Sequence, residues 1–128
     1  MVEIEEKRFG RKSTNQNYYR TTKTVDRCVD IKKTIYMDTN GKAKIVFDVL
    51  NLDRFSIALS NLSNSDVFLQ TRVSPDGTFY KTVNGKRLVK INTIEFCRIE
   101  VFARFVKIYI EGIPCGEVQV YLQGRRVN

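Results

Sequence analysis

The sequence predicts an all-β protein: a single β-sandwich of immunoglobulin-like or jelly-roll type, preceded by an extended N-terminal arm. Apolar and polar residues alternate with a period of two in most segments after Asp26, as in "CVDIKKTIYM" and "EVQVYLQG". Turn signals separate these segments at the spacing typical of sandwiches and barrels, which gives about eight strands. The segment nearest to a helical period, "IEFCRIEVFARFVKIYI", is rich in β-branched and aromatic residues, and these favour a strand.

The predicted strands follow one another with a turn after each. "CVDIKKTIYM" ends at the turn "DTNGK", "AKIVFDVL" is broken by "NLD", and "RFSIALSNL" runs into "SNSD". "VFLQTRV" and "TFYKTV" then form a hairpin, and "NGK" at residues 84–86 is a second hairpin signal before "RLVKINTI". The last two strands are the long "CRIEVFARFVKIYIEG" and "EVQVYLQG".

The hairpin turn is "SPDG", residues 74–77. Pro75 presets the φ of the first turn position, Asp76 bonds its own backbone, and Gly77 supplies a positive φ. A calcium loop is the rival interpretation, but calcium takes six or more oxygen ligands and this loop contains a single acid. We therefore interpret Pro75, Asp76 and Gly77 as a structural turn.

We divide the chain into a basic arm, residues 1–24, and a sandwich domain, residues 25–128. The net charge of +8 is concentrated in the arm, where residues 7–25 contain no acid. Basic and aromatic side chains are interleaved there, which suits either a contact with a neighbouring subunit or nucleic acid. The sandwich sequence shows no obvious aromatic-basic face. The arm residues proposed for either contact are Arg8, Phe9, Arg11, Lys12, Tyr18, Tyr19, Arg20 and Lys23.

A sandwich leaves edge strands whose unpaired backbone recruits other chains. The segment "FARFVKIYIEG" is long, aromatic and lightly charged, so we predict that it is an edge strand that pairs with the arm of a neighbouring copy. Such a heterologous contact closes into a ring or grows into a filament. The predicted assembly residues on this strand are Phe102, Phe105, Lys107 and Tyr109.

The residue types argue against catalysis and against bound cofactors. The chain contains no histidine, no CxxC pair and no phosphate-binding glycine loop, and its acids are dispersed, so we expect no enzyme, cofactor or metal site. Three separated cysteines leave two alternatives: reduced, mostly buried thiols, or a disulfide between subunits after exposure to oxygen. Neither a signal peptide nor an apolar membrane span is present, which predicts synthesis in the cytosol and no membrane partner.

Residues 29–123 resemble small, mostly uncharacterised β-sandwich proteins of Gram-positive spore-formers and their phages. The resemblance rests on "SIALSNLSNSDVFLQTRVSPDGTFY", "FCRIEVFARF" and "VQVYLQGR". It implies a structural surface role more than an enzymatic one. Together with the arm and the edge strand, this leads us to predict a structural subunit of a virion or of a filamentous spore- or cell-surface appendage, with itself and other proteins of the same particle as partners. A nucleic-acid-binding β-module that uses the arm is the alternative, and a carbohydrate-binding module is a third.

Overall fold

The computed structural model of the chain describes residues 2–4, 27–99 and 101–127. These residues form nine β-strands, and none of them belongs to a helix long and apolar enough to cross a membrane. The strands are β1 (Val2–Ile4), β2 (Cys28–Tyr36), β3 (Lys42–Asp48), β4 (Leu52–Asn61), β5 (Val67–Ser74), β6 (Lys81–Val89), β7 (Ile94–Cys97), β8 (Phe105–Glu111) and β9 (Glu117–Arg126).

The strands from β2 to β9 form two antiparallel four-stranded sheets, which confirms the predicted single sandwich. One sheet has the order β2-β9-β4-β7, and the other has the order β3-β8-β5-β6, with β1 added outside β3 and parallel to it. Residues 37–41 join β2 to β3, and residues 90–93 join β6 to β7. Because short connections keep consecutive strands adjacent, β2 and β3 border one side of the sandwich, and β6 and β7 border the opposite side.

The core lies between the two sheets, where alternate residues of each strand point inward. In β9, Val118, Val120 and Leu122 are buried, while the residues between them stay partly exposed. Ile45 of β3 and Ile108 of β8 are paired in the register, and both are fully buried. Each such side chain stabilises the fold by about 1.5–3 kcal/mol. The two-residue period therefore gives each strand one apolar face, which only a second sheet can cover.

The second predicted hairpin, at residues 84–86, is wrong. An Asn-Gly hairpin turn needs a positive φ at both central residues, and neither has one here. The residues lie inside β6, which begins only at Lys81, so "TFYKTV" is strand in its second half alone. The pairing of β5 with β6 shifts register between Leu69 and Arg72, and the Asn-Gly pair lies at this irregularity. A bulge, not a turn, accounts for the glycine.

The long strand predicted from "CRIEVFARFVKIYIEG" is also wrong in its first half. β7 ends at Cys97 and β8 begins at Phe105. The two strands lie in different sheets, so the chain crosses the sandwich between them. Apolar residues continue through the crossing, for instance Val101 and Phe102, which are exposed. Composition alone therefore did not show where the strand is interrupted.

The turn at residues 74–77 lies between β5 and β6, as predicted, and Gly77 has a φ of 83°. The Ser74 hydroxyl accepts the backbone N–H of Gly77 at 2.8 Å. The Asp76 carboxylate accepts the N–H of Thr78, also at 2.8 Å, and this bond is the largest cause of the lowered pKa of Asp76. The ionised carboxylate is thus the form that holds the turn.

We expect Gly77→Val to destabilise the fold by about 1–3 kcal/mol, because a β-branched residue does not easily take a positive φ. A Cβ at this position would also lie 3.2 Å from the Phe105 ring. Gly85→Ala is the matched control, since a Cβ there meets nothing within 4 Å. Urea unfolding of both variants is the measurement. A Gly77 variant as stable as the wild type would contradict the turn assignment.

Candidate functional site

The β2/β3 side of the sandwich presents two long, regular edges. β2 pairs with β9 from Cys28 to Tyr36 without a shift, and no strand in the described ranges pairs with its other edge. The outer edge of β3 carries β1, which pairs only with Ile45, Val46 and Phe47. Regular edges of this kind recruit further strands through their backbone groups. This side is therefore open to strand addition.

The β6/β7 side is poorly suited to strand addition. The pairing of β6 with β5 is irregular, and β7 has only four residues. The guanidinium of Arg87 on β6 lies 2.8 Å from the carboxylate of Glu95 on β7, so an ion pair bridges the two strands. Bulges, short strands and charges are the features by which proteins block pairing at sheet edges. The two sides of the sandwich thus differ in their capacity to bind a partner strand.

The predicted arm residues, from Arg8 to Lys23, lie outside the described residues. The structure does place the start of the arm, since Val2, Glu3 and Ile4 pair in register with Ile45, Val46 and Phe47. Sequence reasoning missed this strand because three residues are too few to show a period.

The prediction that Phe102, Phe105, Lys107 and Tyr109 lie on an edge strand is wrong. Phe102 precedes β8 and is exposed, and the other three belong to β8, which lies between β3 and β5. Both edges of β8 are paired within its own sheet, so its backbone has no edge to offer a neighbour. The apolar composition reflects a central position and not an exposed edge.

Tyr109 instead lies at the centre of a group of cations on the outer surface of the β3 sheet. The Arg72 guanidinium is 4.2 Å from the centroid of its ring, and the ammonium groups of Lys44 and Lys107 are each 5.5 Å from it. The Lys107 ammonium is also 3.9 Å from the ring of Tyr80. These distances are those of cation–π contacts. We call the surface formed by these five residues and the adjacent Phe68 the basic-aromatic face.

The positive charge of the basic-aromatic face is not neutralised by nearby acids. Glu111, at its margin, is bound by Lys86 at 2.9 Å and by Lys42 at 3.8 Å. The hydrogen bond from Lys86 lowers the pKa of Glu111, so this acid stays ionised and paired with its lysines. No carboxylate in the described part of the chain forms an ion pair with the three cations around Tyr109. A groove of about 660 Å³ runs along the surface.

The expectation that the sandwich lacks an aromatic-basic face is therefore wrong. The residues of the basic-aromatic face come from β3, β5, β8 and the loop before β6, which are distant in sequence. Each strand contributes one or two outward side chains, and only the sheet order places them together. The outward positions of "VKIY", Lys107 and Tyr109, were the available signal, and composition led us to interpret them as edge residues.

The cysteines only partly match the buried, reduced alternative. All three are free; Cys28 and Cys115 are exposed, and Cys97 is half-buried. Burial raises the pKa of the Cys97 thiol to about 11, so this thiol stays protonated and unreactive at neutral pH. Within the described ranges, no three His, Cys, Asp or Glu side chains are arranged as a metal site.

No family model and no curated protein matches the chain. PirA shares the fold at 9% identity with a TM-score of 0.51, over 73% of this chain and 93% of that one. A Yersinia pseudotuberculosis-derived mitogen is similar at 11% identity and a TM-score of 0.46, over 77% and 86% of the two chains. A structure of Bacillus endospore appendages, described as disulfide-linked pili, gives 15% identity and a TM-score of 0.47, over 92% and 100%.

These comparisons define the class of protein as a β-sandwich and show a similarity of fold alone. The weak resemblance inferred from the sequence is confirmed only as a β-sandwich fold, which PirA shares.

Proposed function

We propose that the protein is a structural subunit, and not an enzyme, that assembles with copies of itself through its N-terminal arm. One observation carries the proposal: residues 2–4 form a strand that pairs with β3 on the open side of the sandwich. The sequence thus contains both a strand to donate and an edge that accepts it. Strand addition of this kind gives affinity through main-chain hydrogen bonds.

The same pairing suits an exchange between copies. The donated strand has three residues, and residues 5–27 separate it from β2. A chain segment of that length spans at most about 76–83 Å, which is far enough to reach a neighbouring subunit. Exchange of an identical strand keeps every contact and loses little free energy. Because the donor is the arm and the acceptor is the β3 edge, a one-way exchange is heterologous and extends into a ring or a filament, whereas a reciprocal exchange closes a dimer.

The proposal also specifies the type of sandwich and the assembly to which the subunit belongs. We assign the sandwich to the jelly-roll type, and the support for this assignment is its eight strands in two four-stranded sheets, with the orders β2-β9-β4-β7 and β3-β8-β5-β6. We place the subunit in a virion or in a filamentous appendage of a spore or cell, built in the cytosol. Cys28 and Cys115 are exposed and lie near opposite ends of β2. In an appendage that is exposed to oxygen, they could form disulfides with two different neighbouring subunits.

The double variant Val2→Pro/Ile4→Pro tests the donated strand. Proline lacks the backbone N–H, so β1 loses donors while every charge of the arm is kept. We expect the concentration at which oligomers form, measured by sedimentation velocity, to rise at least tenfold. Val2→Thr/Ile4→Thr is the matched control, because threonine is favoured in strands, and it should assemble like the wild type. Equal assembly of the proline and threonine variants would rule out β1 as the link.

A further inference from the structure

We propose that the basic-aromatic face binds single-stranded nucleic acid, with phosphates held by Lys44, Arg72 and Lys107 and a base stacked at Tyr109 or Phe68. This proposal is independent of strand exchange, because the face and the β3 edge are different surfaces. It also differs from binding by the arm, since every residue that it needs belongs to the sandwich.

The register of the sheet fixes the geometry of the face. Lys44 is paired with Tyr109, and Lys107 is paired with Arg72 in the adjacent row. Neighbouring strands lie about 4.8 Å apart, and alternate residues of one strand lie about 6.7 Å apart. Lys44 and Arg72 therefore approach the ring from the two neighbouring strands, and Lys107 approaches it from the same strand. Phe68, on β5, is 44% exposed and adds a second ring to the same surface. A rigid sheet thus holds charges and rings in one layer.

The electrostatics of the face favour a polyanion. The cations around Tyr109 contact rings instead of carboxylates. Of the two acids at the margin, Glu111 is already bound by two lysines, and Asp38 accepts the backbone N–H groups of Asn40 and Lys42. A ring contact holds a guanidinium or ammonium in place without neutralising it. The charge remains available to phosphates, whose contacts with Lys and Arg supply most of the affinity in non-specific nucleic-acid binding.

The structure favours a single strand of nucleic acid over an acidic protein segment. An extended peptide gains its affinity from a free sheet edge, and the strands that carry Arg72, Lys107 and Tyr109 are paired on both sides. Only Lys44 lies on an outer strand, β3, whose edge carries β1 from Ile45 onward. A single strand needs no such edge, because its phosphates contact side chains and its bases stack on rings. In a duplex the bases are already stacked on one another, so the rings would be unused.

Fluorescence anisotropy of the full-length protein with labelled dT20 tests the proposal. The variant Lys44→Gln/Arg72→Gln/Lys107→Gln should bind dT20 at least tenfold more weakly. The slope of log affinity against log salt should become shallower by about 2, since each contact with a single strand contributes about 0.7. The matched control, Lys32→Gln/Lys33→Gln/Lys90→Gln, removes equal charge from exposed positions elsewhere and should retain most of the affinity.

Tyr109→Leu separates stacking from charge. We expect at least fivefold weaker binding of dT20 with an unchanged salt slope, because stacking on an aromatic side chain is not ionic. Melting curves of each variant check the fold, and Arg72→Gln alone replaces the triple variant if that variant is unfolded.

Three results would overturn the proposal. The first is an equal loss of affinity in the face variant and the control. The second is a 20-base-pair duplex bound as tightly as dT20 with no effect of Tyr109→Leu. The third is polyglutamate that displaces dT20 at equal charge, which would assign the face to an acidic protein.

Discussion

Deletion of residues 1–24 is expected to convert an oligomer into a folded monomer. The deletion removes six basic, three acidic and three aromatic residues, but none of the buried core side chains of the described sandwich. The melting temperature of the domain should therefore stay close to that of the full chain. Assembly should be lost because β1 is the strand that the β3 edge accepts. Light scattering coupled to size-exclusion chromatography measures the change.

A mixing experiment distinguishes exchange between copies from pairing within one chain. The truncated protein keeps the β3 edge but has no strand to donate, so an excess of it should cap and shorten oligomers of the full chain. Moderate salt should not dissociate those oligomers, because backbone pairing and apolar burial are poorly screened.

An arm that only binds nucleic acid, and takes no part in assembly, would give different results. Deletion would then leave the oligomeric state unchanged and abolish retention on DNA or RNA. About six contacts with duplex DNA would give the full chain a salt slope near −5. A full-length protein that is monomeric and shows this slope would contradict the structural role.

Asn61→Ala is expected to destabilise the sandwich by about 3 kcal/mol. The Asn61 side chain is fully buried and donates to the backbone carbonyls of Ser65 and Val89, each at 2.9 Å. Its carbonyl oxygen accepts the backbone N–H of Ser63 at 2.9 Å and the hydroxyl of the same residue at 2.7 Å. The Ser63 hydroxyl and the Ser65 carbonyl still bond each other at 2.8 Å in the alanine variant. The backbone N–H of Ser63 and the carbonyl of Val89 lose the Asn61 side chain, and each buried group left unpaired costs about 1–3 kcal/mol.

The matched control for this substitution is Asn64→Ala, in the same turn. Asn64 is exposed, so its replacement should change the free energy of unfolding by less than about 0.5 kcal/mol. Urea denaturation of both variants gives the comparison. Two variants of equal stability would show that the Asn61 network does not hold β4 to the β6/β7 side.

The role of Asn61 shows one limit of sequence reasoning. In the sequence, Asn61 lies near the end of the predicted strand "RFSIALSNL" and Asn64 lies in the turn "SNSD", but nothing there marks Asn61 as buried. The fold makes the first a buried connection between β4 and β6 and leaves the second in solvent. Burial depends on which strand lies above a residue, and a local pattern does not contain that information.

The sequence by itself determined the properties that depend on neighbouring residues. Alternation in segments such as "EVQVYLQG" predicted strands with one buried face, and "SPDG" predicted a turn with a positive φ at Gly77. Both are local effects, because side chains alternate across a strand and only a few residues tolerate that backbone conformation. The all-β sandwich follows from many such segments in one chain.

Only the tertiary structure decided which strands lie at an edge and which outward side chains meet. Composition suggested an edge at "FARFVKIYIEG", but pairing with both β3 and β5 makes β8 a central strand. The same pairing places Lys44 and Arg72 beside Tyr109, although each belongs to a different strand. Sheet order and register arise from contacts between residues far apart in the chain, which a period of two residues does not specify.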